Sequence, residues 1–264
     1  MVENVAFTKA QVAKGALYDA KGNLVGTVEL KFGKKGKKGV KISASATMII
    51  GGKSKKISAK AVTLGDGETR KAITFKDPIG EMMFAMGTDG VFTLKGSGYE
   101  MVGAIESGAT GRRALPVGGV LPDRTMHFNV TMDSVPSFGK DGALLDEALP
   151  VNEPVHVAGG KWSFDKVSTP KYKKNLETGA YELLGLDDQK KPNLSSLKLS
   201  YTAKTGQFKG TFKLYATNEA TTPAGKSPKL KAYTVNVIGF VVDGVGCGSA
   251  TLKKPAATWS VTVE

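Results

Sequence analysis

Two histidines, one cysteine and a scatter of carboxylates are the residues of this chain that could carry acid–base or nucleophilic chemistry. His127 stands near Asp123, Asp133 and Ser134, so a Ser-His-Asp relay is arithmetically available. Such a relay needs a base oriented by a carboxylate and a nucleophile within hydrogen-bond reach. No nucleophile sits in a recognised context: there is no G-x-S-x-G turn, and Cys247, in GVGCGSA, lacks a catalytic neighbourhood. His127 belongs to the alternating run Met126-His127-Phe128-Asn129-Val130, which reads as a strand face. A hydrolase would need His127 or His156 in a cleft beside a carboxylate. Paired carboxylates for glycoside hydrolysis are defined by spatial separation, and the sequence selects no two among Glu100, Asp123, Asp133, Glu153 and Asp165.

Metal and phosphate chemistry find no better footing. Two distant histidines do not make a zinc site. The acidic pairs Asp146-Glu147 and Asp187-Asp188 lack the ligand spacing of a calcium loop. One cysteine excludes an intrachain disulfide. Gly118-Gly119 and Gly159-Gly160 are turns, since a phosphate loop needs a following lysine and helix. The expectation is a chain without catalytic residues, metal or cofactor.

The aromatic residues support a binding reading. Trp162 follows Gly159-Gly160-Lys161, and Tyr172, Tyr181 and Trp259 lie near loops or strand ends. Aromatic faces on a rigid scaffold stack on sugar rings, and neighbouring lysines favour acidic glycans. These four are the candidate ligand-binding residues. The competing reading makes Trp162 and Trp259 core residues of their strands.

The elements that must position these side chains are β-strands. Glycine is abundant, with 33 residues, and the glycines separate short runs rich in Val, Ile, Thr, Phe and Tyr. After a lead-in segment, strands are expected at 24–32, 40–50, 55–64, 69–75, 80–86, 91–95 and 99–105. They are joined by turns such as Gly51-Gly52, Gly65-Asp66-Gly67 and Gly87-Thr88-Asp89-Gly90. The loop 33–39 carries Lys34, Lys35, Lys37 and Lys38. A connector at 109–124 follows, and strands return at 125–132, 161–167, 197–201, 207–216, 230–242, 245–252 and 259–263. Long polar insertions occupy 133–160 and 168–196, the first with a helical turn within 143–149. The expected fold is all-β, an antiparallel sandwich or two β barrels with at most short helical turns. It has a meander at 1–108, the connector at 109–124, and a second half at 125–264. The phrases GTVELKF at 26–32 and GTFKLYA at 210–216, each followed by a basic loop and a long alternating strand, suggest a duplicated pair of halves.

Charge narrows the partners. The net charge is +13, yet only Arg70, Arg112, Arg113 and Arg124 are arginines among 37 basic residues. Arginine serves planar, bidentate reading of phosphate and guanine. A lysine-rich surface fits solvated strand edges or diffuse attraction to an anionic polymer, not sequence-specific nucleic-acid reading. The longest apolar run, near 235–242, is far short of the ~20 residues of a membrane helix, which argues against membrane insertion. No signal-peptide pattern opens the chain, so the expectation is a domain cut from a longer precursor.

The stretches LKLSYTAKTGQFKGTFKLYA at 197–216, KLKAYTVNVIGFVVDGVGCGSATLKKP at 229–255 and WSVTV at 259–263 carry a resemblance. They resemble a recurring terminal region of large secreted proteins of the Kiritimatiellae–Lentisphaerae–Verrucomicrobia bacteria. GALYDAKGNLVGTVELKFGKKGKKGVKISASATM at 15–48 is similar to a module of such proteins. Cys247 stands where the family leads one to expect an aromatic or aliphatic residue. The resemblance implies a bacterial extracellular or cell-surface setting and a non-catalytic, structural module for attachment, assembly or adhesion. Its partners would be neighbouring modules, or anionic surface polymers and glycans. The alternative is a carbohydrate-binding module for acidic polysaccharides, and a hydrolase with an unfamiliar site is the third reading.

Overall fold

The computed structural model describes residues 7, 10–50, 53–87, 90–104, 117–184 and 193–264. Its strands are antiparallel and helical structure is confined to three single 3-10 turns among these residues, so the all-β fold stands. Gly51, Gly52, Thr88, Asp89, Arg112, Arg113, Asp187 and Asp188 lie outside the described residues, as does the first half of the connector 109–124. The chain divides into two compact units. One comprises Met1–Gly119 with Phe240–Gly244, and the other Val120–Gly239 with Val245–Glu264.

The first unit is a meander rolled into a ring. Its strands are β1 (Gln11–Asp19), β2 (Leu24–Phe32), β3 (Val40–Ile50), β4 (Lys53–Ser58), β5 (Val62–Leu64), β6 (Arg70–Thr74), β7 (Glu81–Met86), β8 (Val91–Gly96) and β9 (Tyr99–Ala104). The hydrogen-bonded order is β4-β3-β2-β1-β9-β8-β7-β6, so the first and last strands pair. The remaining gap closes where Ala59 bridges Phe75: Lys60 N–H donates to Thr74 O (2.9 Å) and Lys76 N–H to Ser58 O (3.0 Å). The expected strand 55–64 is therefore two. β4 covers residues 45–50 of β3 and β5 covers 40–42, while the chain between them swings out to meet the end of β6.

Period-two alternation aims Val28, Leu30, Phe32, Ile42 and Ala46 inward and Thr27, Glu29, Lys31, Ser43 and Thr47 outward. A ring of about eight strands is just wide enough for side chains to fill, and here they do. Phe32, Phe84 and Phe92 lie 5.7–6.1 Å apart by ring centroid, and Phe7 packs 5.5 Å from Phe32. The basic loop closes as expected, with Gly36 and Gly39 exchanging hydrogen bonds around Lys37-Lys38. Gly39 has φ +108°, and a Cβ there would lie 2.0 Å from Leu64 O, so only glycine lets β3 and β5 meet.

The strand β1 was expected only as a lead-in. Its sequence QVAKGALYD buries three consecutive residues and shifts register at Leu17/Tyr18, which hides the period-two signal.

The second unit contains β10 (Arg124–Thr131), β11 (Ala143–Leu144), β12 (Glu153–Ala158), β13 (Lys161–Ser163), the hairpin β14–β15 (Tyr172–Lys174, Tyr181–Leu183), β16 (Lys198–Thr202), β17 (Gln207–Thr217), β18 (Leu230–Val242, whose last three residues belong to the first unit), β19 (Val245–Leu252) and β20 (Ala257–Val263). Its order is β11-β17-β18-β19-β20-β10-β12-β13, with β16 also on β17, and again first and last strands pair, β10 with β20. The repeated phrases GTVELKF and GTFKLYA fall on β2 and β17, in chain order the second and sixth strands of their sheets. The two topologies are alike, but these phrases do not mark equivalent positions.

Two sequence expectations need correction here. The strand expected at 161–167 stops at Ser163, and the loop expected before it contains β12. Pro154 disguised β12, because proline is excluded from central strands. It is tolerated because its partner His127 spends both backbone groups on Glu264 (2.7 and 3.1 Å), leaving no donor required opposite. The helical turn expected within 143–149 is a 3-10 turn at Asp146–Ala148.

Candidate functional site

The four aromatic candidates occupy separate places. Trp259 is 3% exposed and its Nε1–H donates to Ser134 O at 2.8 Å, so it offers no face to a ligand. Tyr172 and Tyr181 lie on the β14–β15 hairpin, where the Tyr172 hydroxyl donates to Glu219 Oε2 (2.8 Å) and meets Thr217 Oγ1 (2.9 Å). Trp162 is half-buried on β13. Its indole stacks on Tyr201 (5.1 Å, 8° between planes) and touches Phe208 (5.7 Å), two residues paired across β16 and β17. The Phe208 ring lies over Gly239, where a Cβ would be 2.2 Å from it. Trp162 therefore serves as the wedge that joins β13 to β16.

Beside this wedge, the register aligns Thr125, His156 and Ser163 across β10, β12 and β13 on the face opposite buried Val155 and Val157. His156 Nε2 lies 3.0 Å from Asp165 Oδ1, and Nδ1 lies 3.2 Å from Thr125 Oγ1. With the proton on Nε2, the ring donates to Asp165 and can accept from Thr125. Burial, followed by the charge of Asp165, pushes the Glu153 carboxyl up to about 7. Of the five carboxylates considered, Asp165 is the one whose charge acts on Glu153. The chain can relay a proton, but its hydroxyl belongs to a secondary alcohol on the outer face of a sheet. Sequence reasoning weighed His127, which lies on the outer face of β10, in preference to His156. Gly159-Gly160 was the available clue, since a hairpin there sets His156 opposite Ser163.

The third surface is the outer face of the first unit. Exposed Lys31, Lys41 and Lys56 stand on β2, β3 and β4, with Lys34, Lys35, Lys37 and Lys38 on the loop above. Residues 1–119 hold 19 Lys and Arg against 10 Asp and Glu. Lys35 is paired with Asp66 at 2.7 Å, an exposed contact worth about 0–1 kcal/mol.

Among the described residues no group of three or more His, Cys, Asp or Glu could hold a metal ion, and no helix is long and apolar enough to cross a membrane. Burial, then the charge of Glu264, raises the Cys247 thiol above its ordinary value, which disfavours the reactive thiolate. Compared with known proteins, the chain matches no family model, no curated protein and no solved structure.

Proposed function

We propose that this chain is a non-catalytic attachment module of an exported bacterial protein, which holds anionic surface polymers through the lysines of its first unit. The observation that carries this reading is a division of labour in that unit. Apolar side chains fill the ring interior, and the outward positions of β2 and β3 include Thr27, Glu29, Lys31, Lys41, Ser43, Ser45 and Thr47. Contacts with a partner therefore belong on the outside, where the charge excess attracts polyanions over distances of about a Debye length. The resemblance of residues 15–48, 197–216, 229–255 and 259–263 to modules of secreted proteins supports the extracellular setting. The polar outer face also opposes lipid insertion, since a membrane barrel turns an apolar band outward.

The test is binding of the purified chain to acidic polysaccharides, neutral polysaccharides and duplex DNA at low and high salt. The expected result is binding to acidic polymers that weakens with salt and shows no sequence preference on DNA. Indifference to every polyanion at low salt would overturn the reading.

A further inference from the structure

The outer face of the first unit is not uniformly flat. A depression of about 260 Å³ opens across β1, β2 and β3, with Val12, Lys31, Gly33, Lys41 and Ser43 in its lining. The register places Val12, Lys31 and Ser43 in one row across the three strands, and Gly33 N–H donates to Lys41 O (2.8 Å) to start the next. Lys41 is the diagonal neighbour of Lys31 on that face, a separation of about 7–8 Å at which long side chains converge.

Two features make this depression more than a gap between lysines. The first is Gly33 at its floor. Gly33 is not among the residues with positive φ, and a Cβ there would meet Lys41 O at 3.5 Å and Lys41 Cβ at 3.6 Å, ordinary contact distances. Neither backbone conformation nor packing requires glycine, so the missing side chain leaves the floor open. The second is positive charge: Glu29 contacts Lys31 at 3.4 Å, and Lys41 stands diagonally across from Lys31 with no carboxylate between them in the register. Like charges this close on one sheet face repel each other, and a bound anion would relieve that. Val12, 57% exposed, supplies an apolar wall on the same row.

The geometry points to a binding site for one acidic sugar residue of an anionic polysaccharide. The carboxylate or sulfate would lie between the Lys31 and Lys41 ammonium groups, the Ser43 hydroxyl would face a ring hydroxyl, and the C–H face of the ring would rest on Val12. The volume falls below the ~300–1,000 Å³ of sites for drug-sized ligands, which suits a single ring within a longer polymer. This inference rests on the attachment reading and gives it a defined ligand class and position.

The experiment compares the full chain with three variants, each first checked for an unchanged thermal transition. Gly33→Val fills the floor without changing charge. The pair Lys31→Ala/Lys41→Ala removes both ammonium groups, and Lys55→Ala/Lys56→Ala removes the same charge from β4. Affinity is measured for polygalacturonate, dextran sulfate and neutral dextran. The site predicts a loss of at least about tenfold, roughly 1.4 kcal/mol, for Gly33→Val and for Lys31→Ala/Lys41→Ala. The β4 pair should lose less, and preference for polygalacturonate or for dextran sulfate identifies the acidic group. Equal losses in the two lysine pairs with Gly33→Val unaffected would overturn the site and leave the attachment reading standing. If the unaltered chain binds neither anionic polymer, both fall together. Equal affinity for neutral dextran would refute an acidic ligand.

Discussion

In the first unit the ring is joined by backbone: Ala59 meets Phe75, and two N–H···O bonds complete the circuit of strands. In the second unit the corresponding gap falls between β13 and β16, and there side chains add to a backbone bridge between Val167 and Asn193. Trp162 lies flat on Tyr201 at one point. At another, Asn193 exchanges backbone bonds with Lys166 and Ser168 (3.2 and 3.3 Å). Fully buried, Asn193 also holds Leu197 with Oδ1 (2.6 Å) and Nδ2 (2.8 Å). Backbone closure leaves the outer face of the first unit free to carry charge. The join of the second unit buries polar groups at Asn193, each of which is costly if its partner is lost. The same topology thus yields one ring joined through a backbone bridge and one whose join adds the buried Asn193 side chain and the Trp162–Tyr201 stack.

That contrast can be broken most forcefully in the first ring. Phe84→Ala removes a ring in contact with Phe32 and Phe92 and should cost about 3–5 kcal/mol. Hydrogen exchange at β7 and β8 amides measures it, and a loss below about 1 kcal/mol would mean the interior is not packed as described. In the second ring, Asn193→Ala strands the N–H and C=O of Leu197, with an expected loss of about 2–4 kcal/mol in urea unfolding. If the loss were negligible, the polar knot would not hold the join.

The pH dependence separates the units further. Glu153 has a folded value near 7 against an ordinary 4.5. A carboxyl raised in this way binds more protons folded than unfolded between those values. Stability is then greatest below about pH 4.5 and falls as pH rises through about 7. Undiscounted, the gap corresponds to about 3 kcal/mol; partial solvent screening of a half-buried group reduces this to about 1–2 kcal/mol. Glu153→Gln should flatten the slope of stability between pH 5 and 7.5, and an unchanged slope would place its origin elsewhere. The smallest effect concerns the stack itself. A double-mutant cycle on Trp162→Ala and Tyr201→Ala should give a coupling of about 0.5–1.5 kcal/mol, and a value near zero would reduce the stack to coincidental proximity.

Much of the fold was legible because period two is a local property. The strands at 24–32, 40–50, 230–242 and 245–252 occur with the bounds their alternation implies. Those that escaped notice did so for identifiable reasons. β1 carries a register shift, β12 begins beside a proline, and the β14–β15 hairpin has only three residues per strand. The site was less legible. Trp162 and Trp259 look alike in sequence, each beside a loop, yet one is a half-exposed wedge and the other a core residue bonded to Ser134. The depression at Gly33 has no local signature, since its walls come from three strands.

The sequence by itself determined that the chain is all-β, that glycine turns separate its strands, and that lysine supplies its charge. Each of these follows from residue types and short-range alternation. Only the tertiary structure decided that β1 pairs with β9 and β10 with β20, that the join of the second ring adds Trp162 and Asn193 to a backbone bridge, and that His156 and Lys41 acquire the neighbours they have. Those outcomes depend on which distant strands become adjacent, and ring closure sets that adjacency while local patterning does not encode it.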